Sequence, residues 1–293
     1  MTGPVVVGVD GSPSSMAAVE VAAREAGLRG VGLRLVHAFG WPAAHIPHGG
    51  RPWEPNDAGV RELIDGTLMK AERRAHDTAS GVEITREVVV GEPVTVLEIE
   101  SRSASLAVVG SRGLSRFGAL LLGSTAGHLA AHAVCPVLVV RRRPNPAGPV
   151  LLAVDGSPAA RGAVEFAFAH ASLHGVDLVA LHAWSTRSER AYEAPADPPF
   201  VTYDEGRLHD EEERVLAEAL GGLRDRYPDV TVDRRLVRGR VRHSLIEASA
   251  DAGLVVVGAR GRGGFAGLLL GSVSQAVLHH AECPVAVVRT EAA

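Results

Sequence analysis

The chain has 293 residues, 46% of them apolar, which is enough for two domains of ordinary size that each bury a core. Its formal net charge is -4, with acidic side chains slightly outnumbering basic ones, so it lacks the strong basic excess expected of a nucleic-acid binder. Lys70 is the sole lysine, which excludes a Walker-type phosphate loop ending in Gly-Lys-Ser/Thr.

From the amino terminus, Val5 to Val9 reads as a buried strand, Met16 to Ala26 repeats apolar residues at helical intervals, and Leu33 to Ala38 is a strand again. Val60, Leu63, Ile64, Thr67, Leu68, Ala71 and Ala75 form the apolar stripe of a longer helix. A strand around Glu83 to Val90 follows, then a helix opened by Pro93, a strand over Leu106 to Val109, a helix from about Ser124 to Ala133, and a last strand over Val137 to Val140. Such alternation, with strands apolar on both faces, predicts a parallel sheet covered on both sides.

The whole pattern is then written a second time. Val9-Asp10-Gly-Ser-Pro13 returns as Val154-Asp155-Gly-Ser-Pro158, Leu35-Val-His37-Ala38 as Ala180-Leu-His182-Ala183, and Cys135-Pro-Val as Cys283-Pro-Val. Gly110-Ser-Arg112-Gly113, nine residues, then Gly123-Ser124 matches Gly258-Ala-Arg260-Gly261, nine residues, then Gly271-Ser272. We expect a tandem duplication over residues 1–143 and 149–293, with the stretch Arg141 to Gly148, short and rich in Pro, Gly and charge, as the linker between the copies. Each half is predicted to be a five-stranded, doubly wound α/β domain.

The two cysteines occupy equivalent repeat positions, so neither a disulfide framework nor a cysteine metal site is expected. No charged leader precedes an apolar core at the amino terminus, and no apolar run approaches membrane-spanning length, so a soluble cytoplasmic protein is expected. Two irregular stretches, Gly40 to Gly59 and Ser185 to Gly206, follow the second strand of each copy. They read either as lids or partner loops beside a ligand site, or as tolerated surface insertions.

Open parallel sheets bind ligands outside the carboxyl ends of their strands, where strand order reverses. Asp10 and Asp155 close the first strand of each copy, Ala38 and Ala183 the second, and Gly110 and Gly258 the fourth. Glycine lets backbone N–H groups fold around an anion, through positive φ and the absence of a Cβ. Gly123-Ser124 and Gly271-Ser272 then open a helix whose unpaired N–H groups and dipole favour a negative ligand, although Ser124 and Ser272 can equally serve as plain helix caps. Asp10 and Asp155 can face ribose hydroxyls or a Mg²⁺ ion, directly or through water, or can close an Asx-turn. His37 and His182 read as packed histidines bonded to backbone, and the acidic run Asp210 to Glu213 as a solvated helix face. His45 with His48, and His279 with His280, lack a third ligand at metal-like spacing.

These residues resemble the universal stress protein family in its tandem two-domain form. The resemblance rests on the G-x2-G-x9-G-S spacing, the strand-one aspartate before Gly-Ser, and the closing Cys-Pro-Val strands. It implies a sheet order of 3-2-1-4-5 in each domain and the ATP-binding branch of the family. Adenine would then lie against Ala38 or Ala183, with Gly8 and Val9, or Ala153 and Val154, beside base and ribose. Gly110, Gly113, Gly123, Ser124 and Thr125 would wrap one set of phosphates, and Gly258, Gly261, Gly271, Ser272 and Val273 the other, with Arg112 and Arg260 in reach or solvated. The last strands of the two domains would pair within the chain, and two chains can associate further as a homodimer.

The implied function is an ATP-binding stress-response regulator, with Mg as the accompanying ion and an unknown protein as its partner. The rival is a slow ATPase or an ATP-dependent transferase, disfavoured because no base and nucleophile recur together beside the loops and the phosphate side has no lysine. Inequality between the two sites is expected first where Ala259 replaces Ser111 and Gly263-Gly264 replaces Ser115-Arg116.

Overall fold

A computed structural model of the chain describes residues 3–40, 58–113, 122–141, 145–185, 205–262 and 269–289. Both irregular stretches fall almost wholly outside these residues, as do His45 and His48, Leu120, Leu121 and Leu268, and the Ser115-Arg116 and Gly263-Gly264 exchange. The chain separates into two compact units, Met1–Arg141 and Arg142–Ala293.

In the first unit, β1 (Val5–Gly8), β2 (Leu33–Phe39), β3 (Ile84–Val90), β4 (Leu106–Gly110) and β5 (Val137–Val140) form a parallel sheet in the order β3-β2-β1-β4-β5. Val5 sits opposite both Leu33 and Leu106, which places β1 centrally, with chain order reversing across it. β1, β4 and β5 are apolar on both faces and almost wholly buried, as a covered parallel sheet requires, whereas β2 carries the half-buried Arg34 and His37. β3 instead shows Thr85, Arg86 and Glu87 to solvent. Charged residues on an outer strand discourage pairing with other chains.

The first helix, α1 (Pro13–Arg29), is fixed at both ends by its sequence. The Ser12 hydroxyl accepts from the Ser15 N–H at 3.1 Å, Pro13 fits the first turn, and Gly30 closes the helix at φ 64°. Ala18, Ala22, Ala23 and Ala26 are wholly buried, so this helix lies close on the sheet. α2 (Ala58–Thr78) buries Ile64, Leu68, Ala71 and Ala75 as its stripe predicts, while Leu63 is exposed. α3 (Pro93–Glu100) and α4 (Ser124–His132) complete the unit.

The second unit repeats the plan. β6 (Val150–Ala153), β7 (Leu178–Trp184), β8 (Val232–Arg238), β9 (Leu254–Gly258) and β10 (Val285–Val288) are again parallel, with β6 between β7 and β9 and β10 beside β9. Its helices are α5 (Arg161–His174), α6 (Glu205–Ala219), α7 (Leu223–Arg226), α8 (Val241–Ala248) and α9 (Ser272–His280). Ala159 and Ala160 replace Ser14 and Ser15, so the bond from the Ser15 hydroxyl to Ser12 O has no counterpart; the Ser157 hydroxyl caps no helix, and a short 3-10 turn (Pro158–Ala160) precedes α5. Each unit thus has the doubly wound α/β architecture expected from the periodicity and the 3-2-1-4-5 order that the family resemblance implies.

Cys135 and Cys283 are buried beside the last strands, and loss of hydration pushes their thiols up to about 11 and about 12 respectively. The reactive thiolate is therefore scarce near neutral pH, as expected of packing cysteines.

Candidate functional site

Asp10 and Asp155 leave the carboxyl ends of the central strands β1 and β6. One oxygen of each carboxylate closes its own turn, with the N–H of Ser12 donating to Asp10 Oδ1 and that of Ser157 to Asp155 Oδ1, both at 2.9 Å. The intervening glycines, Gly11 and Gly156, take φ 84° and 69°. This Asx-turn does not compete with a ligand role, because it uses only one oxygen of each carboxylate and directs the second, Oδ2, across the switch point, where that of Asp155 also accepts from the Arg262 N–H at 2.9 Å. There it meets the glycine loop. A methyl group on Gly113 would lie 2.9 Å from Asp10 Oδ2, and one on Gly261 would overlap Asp155 Oδ2 outright.

Gly110, Gly113 and Gly261 are thus explained by close approach, while Gly123 and Gly271 have room for a methyl group. None of Gly110, Gly113, Gly123, Gly258, Gly261 and Gly271 is among the described glycines with positive φ. A side chain at Gly110 would come 2.5 Å from Ser14 Oγ, and one at Gly8 would come 2.8 Å from Leu97 Cδ1. The sequence argument that φ freedom shapes the loop is corrected accordingly: what matters is the missing Cβ.

Gly123 and Gly271 are themselves the N-cap residues of α4 and α9, and no side chain caps either helix. Ser124 and Ser272 are the first residues inside their helices, so the plain-cap reading of these serines does not hold. An uncapped helix start presents free N–H donors and the positive end of the helix dipole. Together with the loop backbone, it forms a surface suited to an anion.

In each unit these parts line one cavity. In the first, Gly8, Val9, Asp10 and Ala38 form the strand side and Gly110, Arg112, Gly113, Gly123, Ser124 and Thr125 the loop side of a space of about 240 Å³. In the second, Ala153, Val154, Asp155 and Ala183 face Gly258, Arg260, Gly261, Gly271, Ser272 and Val273 across about 510 Å³. Every residue singled out from the sequence as a nucleotide contact therefore borders its own unit's cavity.

Sequence reasoning missed part of the second cavity. Its wall includes His182, Trp184, Glu212 and Arg262. Trp184 packs edge-on against His209 with ring centroids 6.2 Å apart. Both histidines bond backbone as expected, His37 Nδ1 to Val9 O at 2.8 Å and His182 Nδ1 to Val154 O at 2.7 Å, but His182 also meets Glu212. Asp210, Glu211 and Glu213 are exposed, so the solvated-face reading of the acidic run is right for three members and wrong for Glu212. The legible signal was the repeat itself, since Glu212 falls where the first copy has the stripe residue Ile64. Ser111 and Ala259 are buried behind the loops and line neither cavity, so their exchange is not where the sites differ.

The chain is thus a duplicated, doubly wound α/β protein in which a carboxylate, a glycine loop and an uncapped helix converge at each switch point, the place where open parallel sheets bind ligands. The universal stress protein family model matches residues 1–141 and 147–289, and the chain belongs to that family. Two universal stress proteins of Mycobacterium tuberculosis are similar along nearly the whole length. One is 41% identical over 309 residues, covering 97% of this chain and 94% of the relative, and the other 40% identical over 295 residues, covering 97% and 96%. Among solved structures, a universal stress protein from Archaeoglobus fulgidus shares the fold with a TM-score of 0.70 at 20% identity, over 99% of both chains. No helix among the described residues is long and apolar enough to cross a membrane.

Proposed function

We propose that this chain is an ATP-binding regulatory protein with two similar nucleotide sites, whose occupancy sets its conformation or its choice of protein partner under stress. The observation that carries the reading is the convergence, in both units, of the Oδ2 atom of Asp10 or Asp155 with a glycine loop and an uncapped helix start around one cavity. The carboxylate supplies an acceptor for ribose hydroxyls or for Mg²⁺ carried with the phosphates. The loop and helix supply donors, and each hydrogen bond to a charged phosphate oxygen contributes roughly 1.5–3 kcal/mol, so a few suffice without lysine. Adenine is placed against Ala38 and Ala183 on the family resemblance. The same reading gives a cytoplasmic protein whose last strands pair within the chain and which is able to form a homodimer.

The test is direct. Purified protein is denatured, released nucleotide is identified by chromatography, and native protein is then incubated with ATP and Mg²⁺ while ADP is followed. The expected result is adenine nucleotide in the released fraction and ADP formation slow on the scale of ordinary ATPases. Protein that neither carries nor takes up nucleotide would overturn the reading, and rapid multiple turnover would replace it with an ATPase.

A further inference from the structure

A chain of polar contacts borders the second cavity, and two of its charged members, Glu212 and Arg262, have apolar counterparts in the first copy. His182 is held from both sides, by Val154 O at Nδ1 and by Glu212 Oε2 at Nε2, 2.8 Å away. The same Glu212 oxygen faces Arg262 Nη1 at 3.8 Å. Arg262 is anchored through its backbone, whose N–H donates to Asp155 Oδ2 at 2.9 Å. Its guanidinium crosses the Asp155 turn, since a methyl on Gly156 would come 2.6 Å from Nη2.

The repeat supplies the comparison. Gly11 is approached by Thr67 of α2, and Gly156 by Val215 of α6, so the residues three positions earlier, Ile64 and Glu212, correspond. Arg262 follows Gly261 as Leu114 follows Gly113. Where the second copy has a glutamate and an arginine, the first has isoleucine and leucine. Two apolar residues have been exchanged for two opposite charges at one cavity, which points to a function of the pair.

Stability is a weak explanation for it. At 3.8 Å, with the arginine side chain 48% exposed, the pair adds little to folding. Such a contact opens easily when a better acceptor arrives. A phosphate group carries more charge than a carboxylate and offers a guanidinium two parallel hydrogen bonds. Arg262 follows the loop glycine Gly261 in the chain, and its backbone bond to Asp155 ties it to the strand-one aspartate beside which the phosphates of a bound nucleotide would lie.

We propose that Arg262 is a phosphate-counting latch of the second site. It pairs with Glu212 when no terminal phosphate is present, and moves to the β- or γ-phosphate when a nucleoside di- or triphosphate binds. Glu212 then keeps only His182. The second site accordingly prefers polyphosphate over monophosphate nucleotides more strongly than the first, which has neither charge. This inference rests on the nucleotide reading above and adds to it a means of discrimination.

Equilibrium dialysis of the full chain with labelled ATP, ADP and AMP tests it, using Arg262→Leu, Arg262→Lys and Glu212→Gln. Loss of a charged hydrogen bond predicts that Arg262→Leu weakens ATP and ADP at one class of site by roughly tenfold or more, with AMP affinity shifted much less. Arg262→Lys restores part of the loss, and Glu212→Gln, which removes the competing carboxylate, tightens ATP. Urea midpoints of each variant report folding separately. An unchanged ATP-to-AMP affinity ratio in Arg262→Leu, or weaker ATP binding in Glu212→Gln, would overturn the latch while leaving the nucleotide sites in place. A wild-type chain that binds none of the three nucleotides would overturn both.

Discussion

Gly261→Ala is expected to weaken nucleotide binding at the second site by at least roughly tenfold and to leave the first site unchanged, because it strikes hydrogen bonds to a charged group worth about 1.5–3 kcal/mol each. The new methyl would overlap Asp155 Oδ2. That carboxylate has little freedom to retreat, since Oδ1 is held by the Ser157 N–H and Oδ2 by the Arg262 N–H. It must rotate and surrender at least one of them, and its acceptor then no longer faces the cavity. Gly271→Ala is the matched control for a generic loop effect on folding. A methyl there meets Ala259 O at 3.5 Å, an ordinary contact, so its urea midpoint stays near wild type while that of Gly261→Ala falls. Titration calorimetry with ATP, set beside the urea midpoints, separates the two variants. Equal midpoints and equal affinities would show that the carboxylate is not constrained as described.

Phe168→Ala is expected to cost about 3–5 kcal/mol of stability, the range for deleting a buried phenylalanine, without changing nucleotide affinity in the protein that remains folded. Phe168 is fully buried on α5, with its ring 5.9 Å from that of Tyr227. Its counterpart in α1 is Ala23, also fully buried, so the two units fill the space under this helix differently. The cavity left by truncation cannot be closed by its neighbours without moving the helix off the sheet. Urea denaturation followed by circular dichroism gives the loss. A change below about 1 kcal/mol would mean that the site collapses freely, contrary to the packing argument.

Most of the architecture was legible because a buried parallel sheet writes itself as short apolar runs, and because the chain presents the same runs twice. Val137–Val140 is the same span by periodicity and by structure. The outer strands β3 and β8 were less distinct, since their charged residues follow edge exposure. At the site, residue types and spacing located the right positions but not always the right cause. The glycines pointed to an anion loop, yet what Gly113 and Gly261 provide is room for the aspartate, a relation between residues distant in sequence. Glu212 was hidden for a related reason. Four consecutive acidic residues look like a solvated face until the helix is placed, and only one of them turns toward His182. Trp184, at the end of β7, acquires its place in the cavity wall only once the strand is set in the sheet.

Saturation binding of labelled ATP to the full chain, with Asp10→Ala, Asp155→Ala and the double variant in parallel, tests most directly whether each chain carries two nucleotide sites. Two ATP molecules per wild-type chain, one for each single variant and none for the double variant is the predicted result. Stoichiometry that is unchanged across all three variants, or zero in the wild-type chain, would contradict the assignment of the strand-one aspartates to nucleotide sites.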